Sequence, residues 1–239
     1  MRNKWLAIVL LTGVLMTERN PWHEPAGSPI GGRFAHGGWV DSARLAAGLP
    51  SELERDYPDL FDALGKNLLV EDINSIVVQR HLRDMQRIPV AALRELKQYG
   101  VKIYIANKSV SEFPGMEGMA NIRPPGWGEG ATFKDLAGFY NNSGKVYLGA
   151  GNWDIPSLAI HEISHAMDEV KQVSESPEMQ KFYEEYQKIK GAYHTDRNSA
   201  NAISEFFAGS ATEIFMGVGK VYKKDYVDFV YGVFGGKSD

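Results

Sequence analysis

Two imidazoles and a carboxylate fall within five consecutive residues, His161-Glu162-Ile163-Ser164-His165. The pattern is His-Glu-x-x-His. On a helix, residues four apart lie on one face about one turn apart, so both imidazoles can reach a single metal ion. Glu162 is rotated by about 100° from His161. It therefore flanks such an ion rather than binding it, where a carboxylate can take a proton from a metal-polarised water. Two imidazoles and a glutamate in an apolar helix each need a partner. A buried helix with incidental histidines would supply none.

A catalytic zinc ordinarily takes three protein ligands and keeps one position open. The chain contains no cysteine, which excludes disulfides, cysteine nucleophiles and Cys-type zinc sites. The ligands must be histidine and carboxylate, and no third histidine stands at short spacing after His165. The segment Asn201 to Met216 offers Glu205 and Glu213. Glu205 is surrounded by Ile203, Phe206, Phe207 and Ala208, where a carboxylate needs a cation to offset burial. Glu213 lies eight residues later, more than two turns away, so the two do not share one ion and Glu205 is preferred. Asp168, one turn after His165, reads either as an acceptor for a ligand imidazole N–H or as an ordinary exposed acid.

The elements that must position these residues follow from periodicity. Asp154 and Pro156 suit a helix start, and Leu158, Ile160, Ile163, Ala166, Met167 and Val170 predict a largely buried helix through the motif. Upstream, Leu53, Tyr57, Leu60, Phe61 and Leu64 recur at helical spacing, as do Ile73, Ile76, Val77 and His81. His81 reads as a packed or surface histidine rather than a ligand. Pro89 opens a helix from Val90 to Tyr99, ended by Gly100. Val101 to Ile105 alternates like a strand. Gly138 to Tyr140 and Lys145 to Leu148 read as a hairpin around Asn141-Asn142-Ser143-Gly144. The strand Lys145 to Leu148 precedes the metal helix and is expected to pair with an extended substrate. Residues from Ile155 onward are mainly helical. Helices, a small sheet, then helices predict an α+β domain.

At this point a resemblance emerges. His161-Glu-Ile-Ser-His-Ala-Met-Asp168, followed about forty residues later by Ser204-Glu-Phe-Phe-Ala208, resembles the anthrax lethal factor catalytic domain and the secreted Pro-Pro endopeptidases. The resemblance extends over roughly residues 85–215, taking in Leu93 to Ile105, Gly126-Trp127 and the hairpin. It implies a zincin-like metallopeptidase domain: a small sheet, an active-site helix and a helical C-terminal part. It implies one Zn2+ held by His161, His165 and Glu205, with Glu162 as general base, and an extended protein or peptide substrate. The family usually carries a catalytic Tyr seven residues before the ligand Glu. Here that position is Asn198, and Tyr193 or His194 is the candidate to stabilise the oxyanion instead. A Glu four residues after the ligand is also usual, and here it is Gly209.

Bulk properties bound the rest. The chain has 239 residues, 44% of them hydrophobic and 23% charged, so a real core is expected. A net charge of -4 provides no basic field for a phosphate backbone, which argues against nucleic-acid partners. After Arg2-Asn3-Lys4, the apolar run Trp5 to Met16 is too short to span a bilayer. It suits a signal-peptide core, although no small-x-small cleavage site follows; the alternative is translation from Met16. No other apolar stretch reaches spanning length, so no stable membrane span is expected. Residues 1–40 form a leader that turns Gly- and Pro-rich after residue 17, and 41–239 form the metallopeptidase domain. Gly31 to Gly38 resembles Gly-Arg-Phe segments between modules of phage head proteins. A zinc-dependent endopeptidase is the leading reading, and an inactive zinc-binding structural module, for instance of a phage particle, is the alternative. A secreted location is slightly favoured over a phage virion or the host cytoplasm. The acidic pair Glu184-Glu185 and the aromatics Trp127 and Trp153 are candidates to line a substrate groove.

Overall fold

The computed structural model describes residues 50–123, 130–141, 143–151, 153–188 and 202–238. The leader, Gly126-Trp127, Tyr193, His194 and Asn198 lie outside the described residues.

The described chain begins with two short helices, α1 (Pro50–Asp56) and α2 (Pro58–Leu64). The apolar spacing from Leu53 to Leu64 runs through both, but Pro58 has no N–H to donate and opens the second helix at its first turn. Strand β1 (Leu68–Val70) follows. With three residues it is too short to show alternation, and the sequence pattern does not flag it. Helix α3 (Ile76–Met85) starts at Ser75, whose hydroxyl accepts the Val77 N–H. Ile76 belongs to the apolar pattern, yet at the helix start it is 78% exposed. Helix α4 (Val90–Gln98) and strand β2 (Lys102–Ile105) fall where Pro89, Gly100 and the alternation put them.

Strands β3 (Gly138–Asn141) and β4 (Lys145–Leu148) form the expected hairpin. The sheet order is β1-β2-β4-β3, with β1, β2 and β4 parallel and β3 antiparallel at the edge. Strand β4 therefore has neighbours on both sides. This corrects the expectation that Lys145 to Leu148 pairs with substrate: its hydrogen-bonding groups are already used by β2 and β3. Among the described residues, no strand pairs with the outer edge of β3.

Alternation sorts the two faces of the sheet. Ile103, Ile105, Val146 and Leu148 join the main core with the helices, and Tyr140 packs against it. Tyr104 and Tyr147 point the other way. They stack with ring centroids 5.2 Å apart in a second cluster with Val110, Phe113, Met116, Phe133 and Leu136, from the connection between β2 and β3.

Helix α5 (Leu158–Lys171) lies on the helical face, against β3 and β4. Its N-cap is Ser157, whose hydroxyl accepts the Ile160 N–H at 3.3 Å. The start is thus set at Ser157, one residue beyond Pro156 and three beyond Asp154, because the Ser157 hydroxyl satisfies an orphan donor. Helices α6 (Pro177–Tyr186), α7 (Ala202–Phe215) and α8 (Lys224–Val233) complete the C-terminal part. They meet in an aromatic cluster in which Tyr226 packs against Tyr186 at 5.2 Å and Phe206 at 5.6 Å. The Tyr226 hydroxyl is hydrogen-bonded to Ser210 at 2.5 Å. The result is the α+β architecture that the element pattern predicts. No described helix is long and apolar enough to cross a membrane.

Gly149 ends β4 and ties three elements together. Its N–H donates to Ala137, and its carbonyl accepts from the ring of His81. A Cβ there would lie 2.4 Å from the Lys108 carbonyl oxygen, a backbone atom that cannot swing aside. Gly149→Ala is expected to lose about 1–3 kcal/mol of stability through this overlap, seen as a lower urea midpoint with an unchanged denaturant slope.

Candidate metal centre

Helices α5 and α7 pack together more extensively than any other pair of elements. Both carry apolar residues nearly all round: Ala159, Ile160, Ile163, Ala166 and Met167 on α5, Phe206, Phe207, Ala208 and Ala211 on α7. Burying these faces brings three polar side chains together. His161 Nε2 lies 3.2 Å from His165 Nε2 and 3.4 Å from Glu205 Oε2. His165 Nε2 lies 3.5 Å from Glu205 Oε1. The three ligating atoms lie within 4.8 Å of one another, and no other such group of His, Asp or Glu occurs among the described residues.

These separations test whether a metal fits. Ligands about 2.0–2.1 Å from a tetrahedral zinc stand about 3.3 Å from each other. The observed distances bracket that edge, and the donor set of two imidazoles and a carboxylate suits zinc. Glu213 stands apart. Its carboxylate accepts a hydrogen bond from the Tyr222 hydroxyl at 2.7 Å.

Glu162 is buried beside the cluster rather than in it. Its carboxylate faces the backbone N–H of Tyr140 on β3, which favours the ionised form. The strand register explains why that N–H is available. Ala137 O accepts the Gly149 N–H at 2.7 Å, so Phe139/Tyr147 and Asn141/Lys145 are the hydrogen-bonded pairs of the hairpin. The N–H groups of Gly138 and Tyr140 point outward, to the open edge. Tyr140 is held to α5 through its hydroxyl, which donates to Glu169 at 2.8 Å. Sequence reasoning missed this role of Tyr140. The odd-even pattern of the hairpin contains it once the sheet order is known.

Asp168 fits neither alternative offered by the sequence. It is buried, and its Oδ1 accepts the Ser174 N–H at 2.6 Å, closing the turn after α5. The second ring nitrogen of His165 meets Ser204 instead, with Nδ1 and Oγ 3.1 Å apart. His81 is fully buried, as a packed histidine should be. Its Nε2 donates to the Gly149 carbonyl at 3.1 Å, and the ring stacks on Trp153 at 5.3 Å. Trp153 thus packs with the core, and the Arg80 guanidinium lies 4.6 Å from its ring centroid. Glu185 pairs with Lys223.

Charge and burial oppose each other across the cluster. Burial pushes the Glu162 carboxyl up, against the pull of the two histidines. Burial also works against the ionised form of Glu205. The charge of His165 and hydrogen bonds from both imidazoles outweigh it and hold the carboxyl well below the usual carboxylate range. For His165, burial disfavours the imidazolium, yet Glu205 raises its pKa to about 9.

A buried helix pair on an edge-terminated sheet, carrying a His-Glu-x-x-His motif and a glutamate from the second helix, defines a zincin-like metallopeptidase fold. The chain belongs to the anthrax lethal factor family: the profile described as anthrax toxin lethal factor, N- and C-terminal domain, matches residues 64–217. Among solved structures, it is similar to the Pro-Pro endopeptidase of Paenibacillus alvei, with a TM-score of 0.57 and 22% identity. The likeness covers 72% of this chain and 98% of that one. At that identity it speaks for the fold alone. No curated protein matches in sequence.

In the metal-free protein, His165 contributes stability that is complete below its unfolded pKa near 6.5 and is lost as pH rises through about 9. Glu205 contributes stability that is present above about 4.5 and lost on acidification. Chelator-treated protein is therefore expected to be most stable between about pH 5 and 6.5 and to lose a few kcal/mol towards pH 9. Thermal midpoints across that range, which should be flat if the pair is uncoupled, check this.

Proposed function

We propose that the protein is a zinc-dependent endopeptidase with His161, His165 and Glu205 as metal ligands and Glu162 as general base. One observation carries the reading. The buried glutamate of the motif faces the outward N–H of an edge strand, beside three donors at zinc-ligand separations.

An extended peptide laid along β3 would add a strand through the outward N–H and C=O of Gly138 and the outward C=O of Tyr140. This moves the proposed substrate contact from β4 to β3. Since Tyr140 N–H faces Glu162, a peptide on that edge passes by the carboxylate. Bound at the cluster, zinc supplies Lewis acidity that acidifies water and polarises a peptide carbonyl. Glu162 accepts the proton of the attacking water and delivers it to the leaving amine. Its burial suits this exchange, because a carboxyl with a raised pKa both takes and returns a proton more readily near neutrality. Tyr193 or His194 is assigned to the developing oxyanion on the sequence alone, both lying outside the described residues.

The test is cleavage of a degenerate peptide pool followed by mass spectrometry, with zinc content measured in parallel. Glu162→Ala should retain zinc and lose at least about 100-fold in turnover. Glu205→Ala should lose the metal. Zinc bound equally by wild type and Glu205→Ala would remove Glu205 from the ligand set. A zinc-loaded wild type that cuts nothing in the pool would favour a structural zinc module.

A further inference from the structure

His165 enters the cluster through Nε2 and leaves Nδ1 for a second contact. That contact is the hydroxyl of Ser204, 3.1 Å away. Ser204 directly precedes Glu205 on α7. Neighbouring residues of one helix therefore hold opposite sides of one imidazole on another helix: Ser204 at Nδ1 and Glu205 at Nε2, the latter 3.5 Å away.

A neutral imidazole carries one proton. For Nε2 to offer its lone pair to a metal, that proton must sit on Nδ1, where it needs an acceptor. A hydroxyl has the lone pairs to accept it. It also favours one ring orientation, since a half-turn of the ring would put carbon atoms where both nitrogens stand. Ser204 is half-buried, so the bond is partly shielded from competing water.

The geometry points to Ser204 as a positioning residue for the metal centre: its hydroxyl accepts the Nδ1–H of His165 and so fixes the tautomer and rotation that aim Nε2 at His161 and Glu205. This rests on the zinc-site reading above. Outer hydrogen bonds of this kind typically contribute 10- to 100-fold to metal affinity.

Zinc affinity of the full chain, measured by competition with a chromophoric chelator, tests it together with the thermal midpoint of the metal-free form. The variants are Ser204→Ala, Ser204→Thr and Ser204→Val. Threonine keeps the hydroxyl, and valine has nearly the same shape without it. Ala and Val should weaken zinc about 10- to 100-fold, while Thr stays close to wild type. The metal-free midpoints of Val and Thr should agree, which separates ligand positioning from fold stability. Val binding zinc as tightly as Thr overturns the proposal and leaves the zinc site standing. A wild-type protein that takes up no zinc overturns the zinc site and this inference with it.

Discussion

The contact between α5 and α7 is the constraint on which the rest depends. Two helices buried almost all round must meet, and the meeting encloses His161, His165 and Glu205. Isolated, each of these groups would be costly at such a depth. Together they compensate one another, since the carboxylate is held ionised by imidazoles that also donate to it. The apolar faces supply the favourable free energy, and the polar cluster fixes which register of the two helices is acceptable. A slide of one helix by a single turn would leave a carboxylate facing apolar side chains. The aromatic packing of Tyr226 on Phe206 and Tyr186 acts in the same direction, holding α7 from behind.

The sheet serves this helix pair by placing an edge beside it. Strand β3 runs antiparallel at the end of an otherwise parallel sheet, so its hairpin pairing directs alternate N–H groups outward. One of these, on Tyr140, faces Glu162. The same residue anchors to α5 through Glu169. Strand and helix are thereby joined through the Tyr140 side chain. The position of Glu162 is then a property of the sheet-helix junction rather than of the motif helix alone.

What could be read from the sequence was local. The spacing of His161, Glu162 and His165 contains their geometry because a helix converts spacing into direction. Glu205 could be singled out because its apolar neighbours make an unpaired carboxylate there expensive. The hairpin and α4 carry their own punctuation in Gly144, Pro89 and Gly100. What escaped depends on contacts distant in sequence. β1 is three residues whose identity as a strand comes from pairing with β2. The interior place of β4 follows from parallel pairing with β2, which no hairpin signal records. Asp168 was read against the histidine near it in the chain, whereas its partner is Ser174 after the helix has ended. Ser204 left a trace, a hydroxyl beside a candidate ligand, but its target lies on another helix.

The two glutamates show how environment divides labour between identical side chains. Glu205 is faced by two imidazoles, which hold it ionised over the whole physiological range. Such a group suits permanent attachment to a cation and would make a poor proton carrier. Glu162 is equally a carboxyl, but it is more deeply buried, stands to one side of the cluster and faces the Tyr140 backbone N–H. Burial favours its protonated form, and the positive charge of a neighbouring cation would favour the ionised one. A group balanced between those influences can change protonation within a reaction. The surroundings of each carboxylate thus support the proposed assignment of ligand to Glu205 and base to Glu162, beside the motif in which Glu162 lies.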